Sequence, residues 1–182
     1  MKLSLFAALL LAFVMMSMAQ TLESWIVRLS PASFPELPAN LVQELQHRQC
    51  TIPQAYVKKY KNVIKGEFAR PGQIDWAVLC SVKGVSTILV FWNGSEKDPA
   101  ALAPMQDNGY VQGLGGGAGQ WGYSRGIEPM GMADIVRYHD PDHLGDPLPP
   151  IDHQGINDQY LDKAFLVWYY YDRQWLKVAG GD

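Results

Sequence analysis

Three of the four histidines of this 182-residue chain lie close together, among four aspartates between positions 139 and 153. Imidazole and carboxylate groups are ligands that zinc prefers, and a bound zinc ion can activate water for hydrolysis. The candidate metal ligands are His139, Asp142, His143 and His153. Because Pro141 excludes a regular helix between His139 and His143, a metal site here requires a folded loop. A solvated, turn-rich loop without a metal is the alternative interpretation.

A second candidate site lies in a stretch that has seven glycines between Gly113 and Gly126. The aromatic and basic residues in and beside this stretch offer stacking and positive charge, which suits a loop that contacts a ligand. The candidate ligand-binding residues are Tyr110, Trp121, Tyr123 and Arg125. A flexible connection without a binding role is the alternative interpretation.

The motifs of the chain predict no catalytic nucleophile. The letters of the GxSxG pattern of serine hydrolases occur at residues 122–126, but no buried strand is predicted before them and no helix after them, as a nucleophile elbow requires. Neither cysteine lies in a motif that activates a thiol. The positions of the 18 acidic residues in the sequence do not show which two carboxylates, if any, would form the catalytic pair of a glycosidase. The sequence therefore identifies no catalytic residue and predicts no cofactor.

Residues 1–19 have the composition of an export signal. Lys2 provides a positive start, and an apolar run from Leu3 to Met16 follows with Ser4 as its one polar residue. This run is shorter than the roughly 18 residues expected of a membrane-spanning helix. We expect cleavage after Ala19, which leaves residues 20–182 as a single secreted or periplasmic domain without a transmembrane anchor.

The two cysteines, Cys50 and Cys80, both lie in the predicted mature part of the chain. In an oxidising compartment, an even pair with no third thiol most simply forms one disulfide, and two buried free thiols are the alternative. The pair lacks the CxxC spacing of redox and zinc motifs, so we expect neither role.

The charge balance limits the partners of the chain. It has 15 basic and 18 acidic residues, with a formal net charge of −3. Such a balance gives no electrostatic attraction to nucleic acid or to anionic lipid. We expect a monomer whose partner is an unidentified ligand or an envelope protein.

The apolar spacing predicts the elements that position these residues. Leu41, Val42 and Leu45 fall at helical spacing and predict one helix within Ala39–Gln49. Strand patterns cover residues 21–29, 63–68, 75–82, 85–92, 133–138, 163–171 and 174–178, with two-residue turns at Lys83-Gly84 and Asp172-Arg173. Residues 96–132 hold many breakers and predict a long, Gly-rich loop, either mobile or functional. The predicted fold class is α+β: an N-terminal helix packed on a mainly antiparallel β-sheet, with one disulfide.

One short segment matches a known motif. Gly66, Phe68, Gly72, Asp75 and Ala77 have the spacing of a G-D-F-x-x-D-G-x-x-D-x-A loop between two strands. Residues 66–79 thus resemble a single FG-GAP repeat, in which acidic side chains hold calcium. Glu67 replaces the first aspartate of that pattern, and Ala69 and Pro71 occupy two positions that would supply oxygen ligands. A cation that needs six or more oxygens lacks ligands here, so we expect the turn without its calcium.

The same residues have expected structural roles that need no metal. Gly72 allows a tight turn, and Phe68 and Ala77 point inward. Asp75 accepts hydrogen bonds from the amides of its own loop. The layout of the whole chain resembles small exported bacterial proteins of unassigned function, and this wider resemblance implies no activity.

These observations favour an exported, non-enzymatic binding or envelope-associated protein. Aromatic strands and a long loop are visible in the sequence, whereas a catalytic set is not. The alternative is a metal-dependent hydrolase that uses the His and Asp residues between positions 139 and 153.

Overall fold

The structure is a computed structural model that describes residues 22–115, 119–140, 142 and 147–181. The described residues form four antiparallel sheets and two short α-helices. The helices are α1 (Ala39–His47) and α2 (Met132–Arg137). The strands are β1 (Arg28–Leu29), β2 (Ile52–Pro53), β3 (Val63–Gly66), β4 (Asp75–Val82), β5 (Val85–Phe91), β6 (Ala100–Gln106), β7 (Val111–Gly113), β8 (Trp121–Tyr123), β9 (Arg125–Met130), β10 (Gly155–Tyr160), β11 (Ala164–Tyr171) and β12 (Gln174–Gly181).

The predicted α+β class is wrong, because the chain is mainly β. Residues 96–132, for which the sequence predicted a long loop, contain the strands β6 to β9. One of their glycines, Gly126, allows the ring of Tyr60 to pack against the backbone, since a Cβ on Gly126 would lie 2.8 Å from that ring. Conversely, residues 133–138, predicted as a strand, lie mostly in α2, which buries only Ile135.

The first large sheet has the strand order β3-β4-β5-β6, so each strand pairs with its neighbour in the sequence. The predicted hairpin between β4 and β5 is confirmed, with Val82 paired to Val85. The connecting residues Lys83 and Gly84 have φ angles of 52° and 78°. Two positive φ angles give the turn a twist that matches the flanking strands.

One face of this first sheet packs against α1. The apolar cluster between them includes Leu41, Leu45, Cys50, Ile52, Val63, Val78, Cys80, Leu89 and Phe91. The predicted disulfide is confirmed: Cys50 bonds to Cys80, with their Cα atoms 5.2 Å apart. The bond ties the segment that follows α1 to β4, in the middle of the sheet.

The second large sheet has the order β12-β11-β10-β9 and packs on the other face of the first. The buried cluster between the two sheets includes Phe68, Ala77, Leu79, Ile88, Val90, Leu102, Ile127 and Ile156. The predicted hairpin between β11 and β12 is confirmed, and its turn residues Asp172 and Arg173 have φ angles of 47° and 62°.

A buried asparagine joins the two sheets where their edges meet. Asn62, directly before β3, is fully buried. Its Oδ1 accepts a hydrogen bond from the backbone N–H of Ile127 at 3.0 Å. Its Nδ2 donates to the carbonyl oxygens of Pro53 at 2.7 Å and Arg125 at 3.2 Å. One side chain thereby fixes β9 beside β3.

Helix α2 covers part of the outer face of the second sheet. Ile135 is fully buried in a cluster with Val167, Tyr169, Val178 and Ala179. The helix approaches β10 closely, because a Cβ on Gly155 would lie 3.2 Å from the Cδ1 of Ile135. The glycine thus makes room for the helix.

The predicted leader, residues 1–19, lies outside the described residues. Among the residues that are described, no helix is long and apolar enough to cross a membrane.

Replacing both Cys50 and Cys80 with alanine should lower the free energy of unfolding by about 3–4 kcal/mol. The reason is that the bond links residues 30 positions apart and so restricts the unfolded chain. Denaturant titration of the oxidised protein, the reduced protein and the double variant measures the effect. The reduced protein should match the variant, and equal stability of all three would contradict the prediction.

Candidate functional site

Arg125, one of the predicted ligand-binding residues, is fully buried between the two large sheets. Its guanidinium forms a bidentate ion pair with Asp158 of β10, at 2.9 Å from Nε to Oδ1 and 2.8 Å from Nη2 to Oδ2. Nη1 donates to the carbonyl and hydroxyl oxygens of Ser86, both at 3.0 Å. Nη2 also donates to the carbonyl of Ala103 at 2.8 Å. These five hydrogen bonds use every N–H donor of the guanidinium, so none is left for a ligand. Because the acceptors belong to both sheets, Arg125 also joins the two sheets.

The other three predicted ligand-binding residues differ in exposure. Tyr123 is buried, its hydroxyl lies 3.1 Å from Oγ of Ser86, and burial raises the pKa of its phenol. The half-buried ring of Tyr110 lies 5.2 Å from Cζ of Arg125. Trp121, by contrast, exposes 42% of its surface. The structure therefore brings Tyr110, Tyr123 and Arg125 together, mostly in the interior, and places Trp121 at the surface.

The structure buries His153, one of the predicted metal ligands, beneath β11. Its Nδ1 lies 2.9 Å from the carbonyl oxygen of Gln154, and its Nε2 lies 3.0 Å from that of Tyr170. The ring stacks on Tyr169 with the centroids 4.2 Å apart. Both ring nitrogens face backbone oxygens, so neither is open to a metal ion in this arrangement.

The remaining predicted metal ligands are only partly described. Nδ1 of His139 lies 2.7 Å from the carbonyl oxygen of Val178. Asp142 is exposed, and its backbone N–H donates to Oδ1 of Asp140 at 3.0 Å. His143 lies outside the described residues. Within the described ranges, no three His, Cys, Asp or Glu residues are arranged to hold a metal ion.

The loop before β4, which resembles part of an FG-GAP repeat, is organised by Asp75. This carboxylate is fully buried. Its Oδ2 accepts from the backbone N–H groups of Phe68 at 3.2 Å and Ala69 at 2.9 Å. Its Oδ1 accepts from Nε2 of Gln73 at 2.7 Å and from the backbone N–H of Asn93 at 2.8 Å. Amide donors thus occupy the oxygens that a calcium ion would need.

The structural roles expected in this loop are confirmed. Gly72 has a φ of 78°, which suits glycine in a tight turn. Phe68 and Ala77 are fully buried in the core between the sheets. Asp75 holds the loop closed from the first position of β4.

A cleft of about 550 Å³ opens on the outer face of the second sheet, beside α2. This volume is within the range of small-molecule sites. We call it the acidic cleft. Its polar lining residues are Glu128, Asp134, Asn157, Gln159, Asp162 and Lys163, and its other lining residues are Met130, Tyr138, Tyr160, Ala164, Phe165 and Gly181.

The floor of the acidic cleft is a hydrogen-bond network across β9 and β10. Glu128 and Asn157 are directly paired residues of these strands. Oε1 of Glu128 accepts from Nε2 of Gln159 at 2.5 Å and from Nδ2 of Asn157 at 3.3 Å. Asn157 is only 3% exposed, and its buried Oδ1 has no hydrogen-bond partner among the described residues. Such unpaired buried oxygens are uncommon in folded proteins.

The turn between β10 and β11 forms one wall of the acidic cleft. The hydroxyl of Tyr56 donates to Oδ2 of Asp162. The pKa of Tyr56 is raised to about 12. Burial of the phenol is the larger cause, and the hydrogen bond to Asp162 is the second. Nζ of Lys163 donates to the hydroxyl of Tyr160 at 3.1 Å and lies 4.5 Å from the centre of its ring.

Carboxylates outnumber cations among the described residues that line the acidic cleft. Three carboxylates line it, whereas Lys163 is the one cationic residue among these lining residues. At the floor, Oε2 of Glu128 lies 3.5 Å from Nζ of Lys59. Asp134 is exposed in the first turn of α2 and has no hydrogen bond or ion pair of its carboxylate with the described residues. The same helix also carries Arg137, whose Cζ lies 5.4 Å from the centre of the Tyr138 ring in the cleft wall.

The sequence did not indicate the acidic cleft, because β10 was not predicted. Asn157 and Gln159 point to the cleft, whereas Ile156 and Asp158 point to the packed interior. Polar residues on both faces remove the apolar alternation that identifies a strand. The signal that could have found β10 is its position before the strongly predicted β11, at the distance of a short hairpin turn.

Comparison of the chain with family models, curated proteins and solved structures returns no match. The function proposed below therefore depends on the geometry of the acidic cleft.

Replacing Asp75 with asparagine should lower the free energy of unfolding by about 2–3 kcal/mol. The new amide nitrogen would face N–H donors in place of one carboxylate oxygen. Thermal unfolding measures the loss, and Asp98→Asn, an exposed loop substitution, is the matched control. Calcium should leave the Tm of the unmodified protein unchanged, and a Tm that rose with calcium would contradict this assignment.

Proposed function

We propose that this chain is an exported, non-enzymatic binding or envelope-associated module that holds a small polar ligand in the acidic cleft. The observation that supports a ligand most directly is the cleft itself, which has a volume of about 550 Å³ and a polar floor ordered by hydrogen bonds across β9 and β10. A concave site of this size with a few fixed polar groups is typical of small-molecule binding.

The fixed position of the floor residues supports binding. Oε1 of Glu128 accepts from two side-chain amides, and Oε2 faces Lys59. These contacts hold Glu128, Asn157 and Gln159 in one arrangement on two paired strands. Recognition groups that are already ordered lose little conformational entropy when a ligand binds.

Export is supported by the expected leader and by the disulfide. Residues 1–19 have the charge and apolar pattern of a signal peptide. The bond between Cys50 and Cys80 is of the kind that persists in oxidising compartments. Both features fit a protein that works outside the reducing cytosol.

A ligand screen by thermal unfolding tests the binding function. The probes are glucose, glycine, n-butylammonium and zinc, each added to the oxidised protein from residue 20. A compound that binds only the folded state raises the Tm. The blocking variant is Asp134→Trp, which places a large ring at the cleft wall. Its matched control is Val136→Trp, because Val136 is 57% exposed on the same helix and does not line the cleft.

At least one organic probe should raise the Tm of the unmodified protein and of Val136→Trp in a saturable way, but not that of Asp134→Trp. No response to any organic probe would contradict the proposal. A Tm increase with zinc that His139→Ala abolished would instead favour the alternative, a metal-dependent hydrolase.

A further inference from the structure

We propose that the open side of the two packed sheets is a second binding site, and that its ligand is an amphiphile with an apolar chain and an anionic end. The site is a groove of about 400 Å³ between β6 of the first sheet and β10, β11 and β12 of the second. This volume is within the range of small-molecule sites. We call it the intersheet groove.

The intersheet groove exists because the two sheets are joined along one side only. Asn62 joins them where β3 and β9 lie side by side. The strands at the opposite edges are β6 and β12, and no described strand pairs with the outer edge of either. Leu166 and Trp168, which face the first sheet from β11, are therefore only half-buried.

Apolar side chains from both sheets form the walls of the intersheet groove. Ala103 and Met105 lie on the β6 side, and Leu166 and Trp168 lie on the β11 side. Met105 exposes 47% of its surface. Apolar surface that a ligand chain covers is removed from water, which favours binding. The walls therefore suit the apolar part of a ligand.

Lys177 supplies the charge of the intersheet groove. Asp158 is the one carboxylate among the described lining residues, and its two oxygens accept from the buried guanidinium of Arg125. Nζ of Lys177 lies 5.4 Å from the centre of the Trp168 ring and has no described carboxylate within ion-pair distance. Because the pair of Arg125 and Asp158 is neutral as a whole, the described lining has one cation in excess.

An anionic amphiphile matches both properties of the intersheet groove. A lysine beside apolar surface packs its methylene groups on that surface and directs its ammonium group to water. A ligand whose chain lies between β6 and β11 can therefore place a carboxylate beside Nζ of Lys177 at the edge of the groove. An alkylammonium would meet a like charge there, and a sugar would lose hydrogen bonds to water against carbon-lined walls.

The intersheet groove is distinct from the acidic cleft. The two sites share Tyr160, Ala164 and Phe165 near the β10–β11 turn. The groove opens toward the first sheet, whereas the cleft lies on the outer face of the second sheet beside α2. The variant Asp134→Trp, which blocks the cleft, should therefore leave the affinity of the groove for its ligand unchanged.

The test is an NMR titration of the isotope-labelled oxidised protein from residue 20 with sodium octanoate. The controls are octan-1-ol, which has an alkyl chain of the same length without the charge, and octylammonium chloride, which has the opposite charge. Octanoate should shift the indole N–H signal of Trp168 and the backbone amide signals of Ala103, Met105 and Leu166 in a saturable way. Octanol should bind about threefold to fivefold more weakly than octanoate, and octylammonium more weakly still.

Two substitutions change the charge at the intersheet groove. Lys177→Gln should weaken the affinity for octanoate about threefold to fivefold and leave that for octanol unchanged, because it removes only the cation. Its matched control is Lys97→Gln, since Lys97 is exposed and does not line the groove. Met105→Glu should weaken octanoate binding by a similar factor through charge repulsion, and its control is Met132→Glu, since Met132 is 48% exposed on α2. Neither control should change the affinity.

Several results would overturn the assignment of an anionic amphiphile. Equal affinities for octanoate and octanol, or an octanoate affinity that did not respond to Lys177→Gln, would do so. Groove signals that shifted with protein concentration alone, and no longer did so in Met105→Glu, would show a second copy of the chain in the groove instead. Octanoate shifts that Asp134→Trp abolished would locate the ligand in the acidic cleft, so this inference would fail while the binding function stood. No saturable shift with octanoate would also overturn the assignment, without bearing on the function of the cleft.

Discussion

The buried ion pair between Arg125 and Asp158 is the interaction on which the arrangement of the two large sheets depends. It lies between the two sheets and reaches from β9 and β10 to Ser86 and Ala103 of the first sheet. A buried charge is costly unless its partner and its hydrogen bonds are all in place. Only one relative position of the sheets gives Arg125 all its acceptors, so the pair specifies that position.

The acidic cleft follows from this constraint. With Asp158 directed into the interior, the alternation of β10 directs its neighbours Asn157 and Gln159 to the opposite face. Helix α2 covers the apolar part of that face around Ile135 and stops short of the polar part. The two faces of one strand therefore differ, with the paired charge of Asp158 in the interior and the amide side chains of Asn157 and Gln159 lining the cleft.

Local patterns predicted local features, and contacts distant in sequence explain what was missed. The turns at Lys83-Gly84 and Asp172-Arg173 and the helix from Ala39 came from short-range signals, and the disulfide came from the presence of only two cysteines. The acceptors of Arg125 lie 22 to 39 positions away, so its buried ion pair could not be predicted from the local sequence. Gly126 suggested a loop because the ring of Tyr60 that packs on it is not visible in the sequence. The α+β class failed for the same reason.

A double-mutant cycle on the buried pair tests the central claim most directly. The free energy of unfolding is measured for the unmodified protein, Arg125→Met, Asp158→Asn and the double variant. The surface ion pair of Glu44 and Arg48, at the C-terminal end of α1, serves as the reference cycle, with an expected coupling below about 0.5 kcal/mol. The buried pair should show a coupling of about 2 kcal/mol or more, since each single variant leaves an unpaired charge inside the protein. Additive effects at the buried pair would contradict the claim.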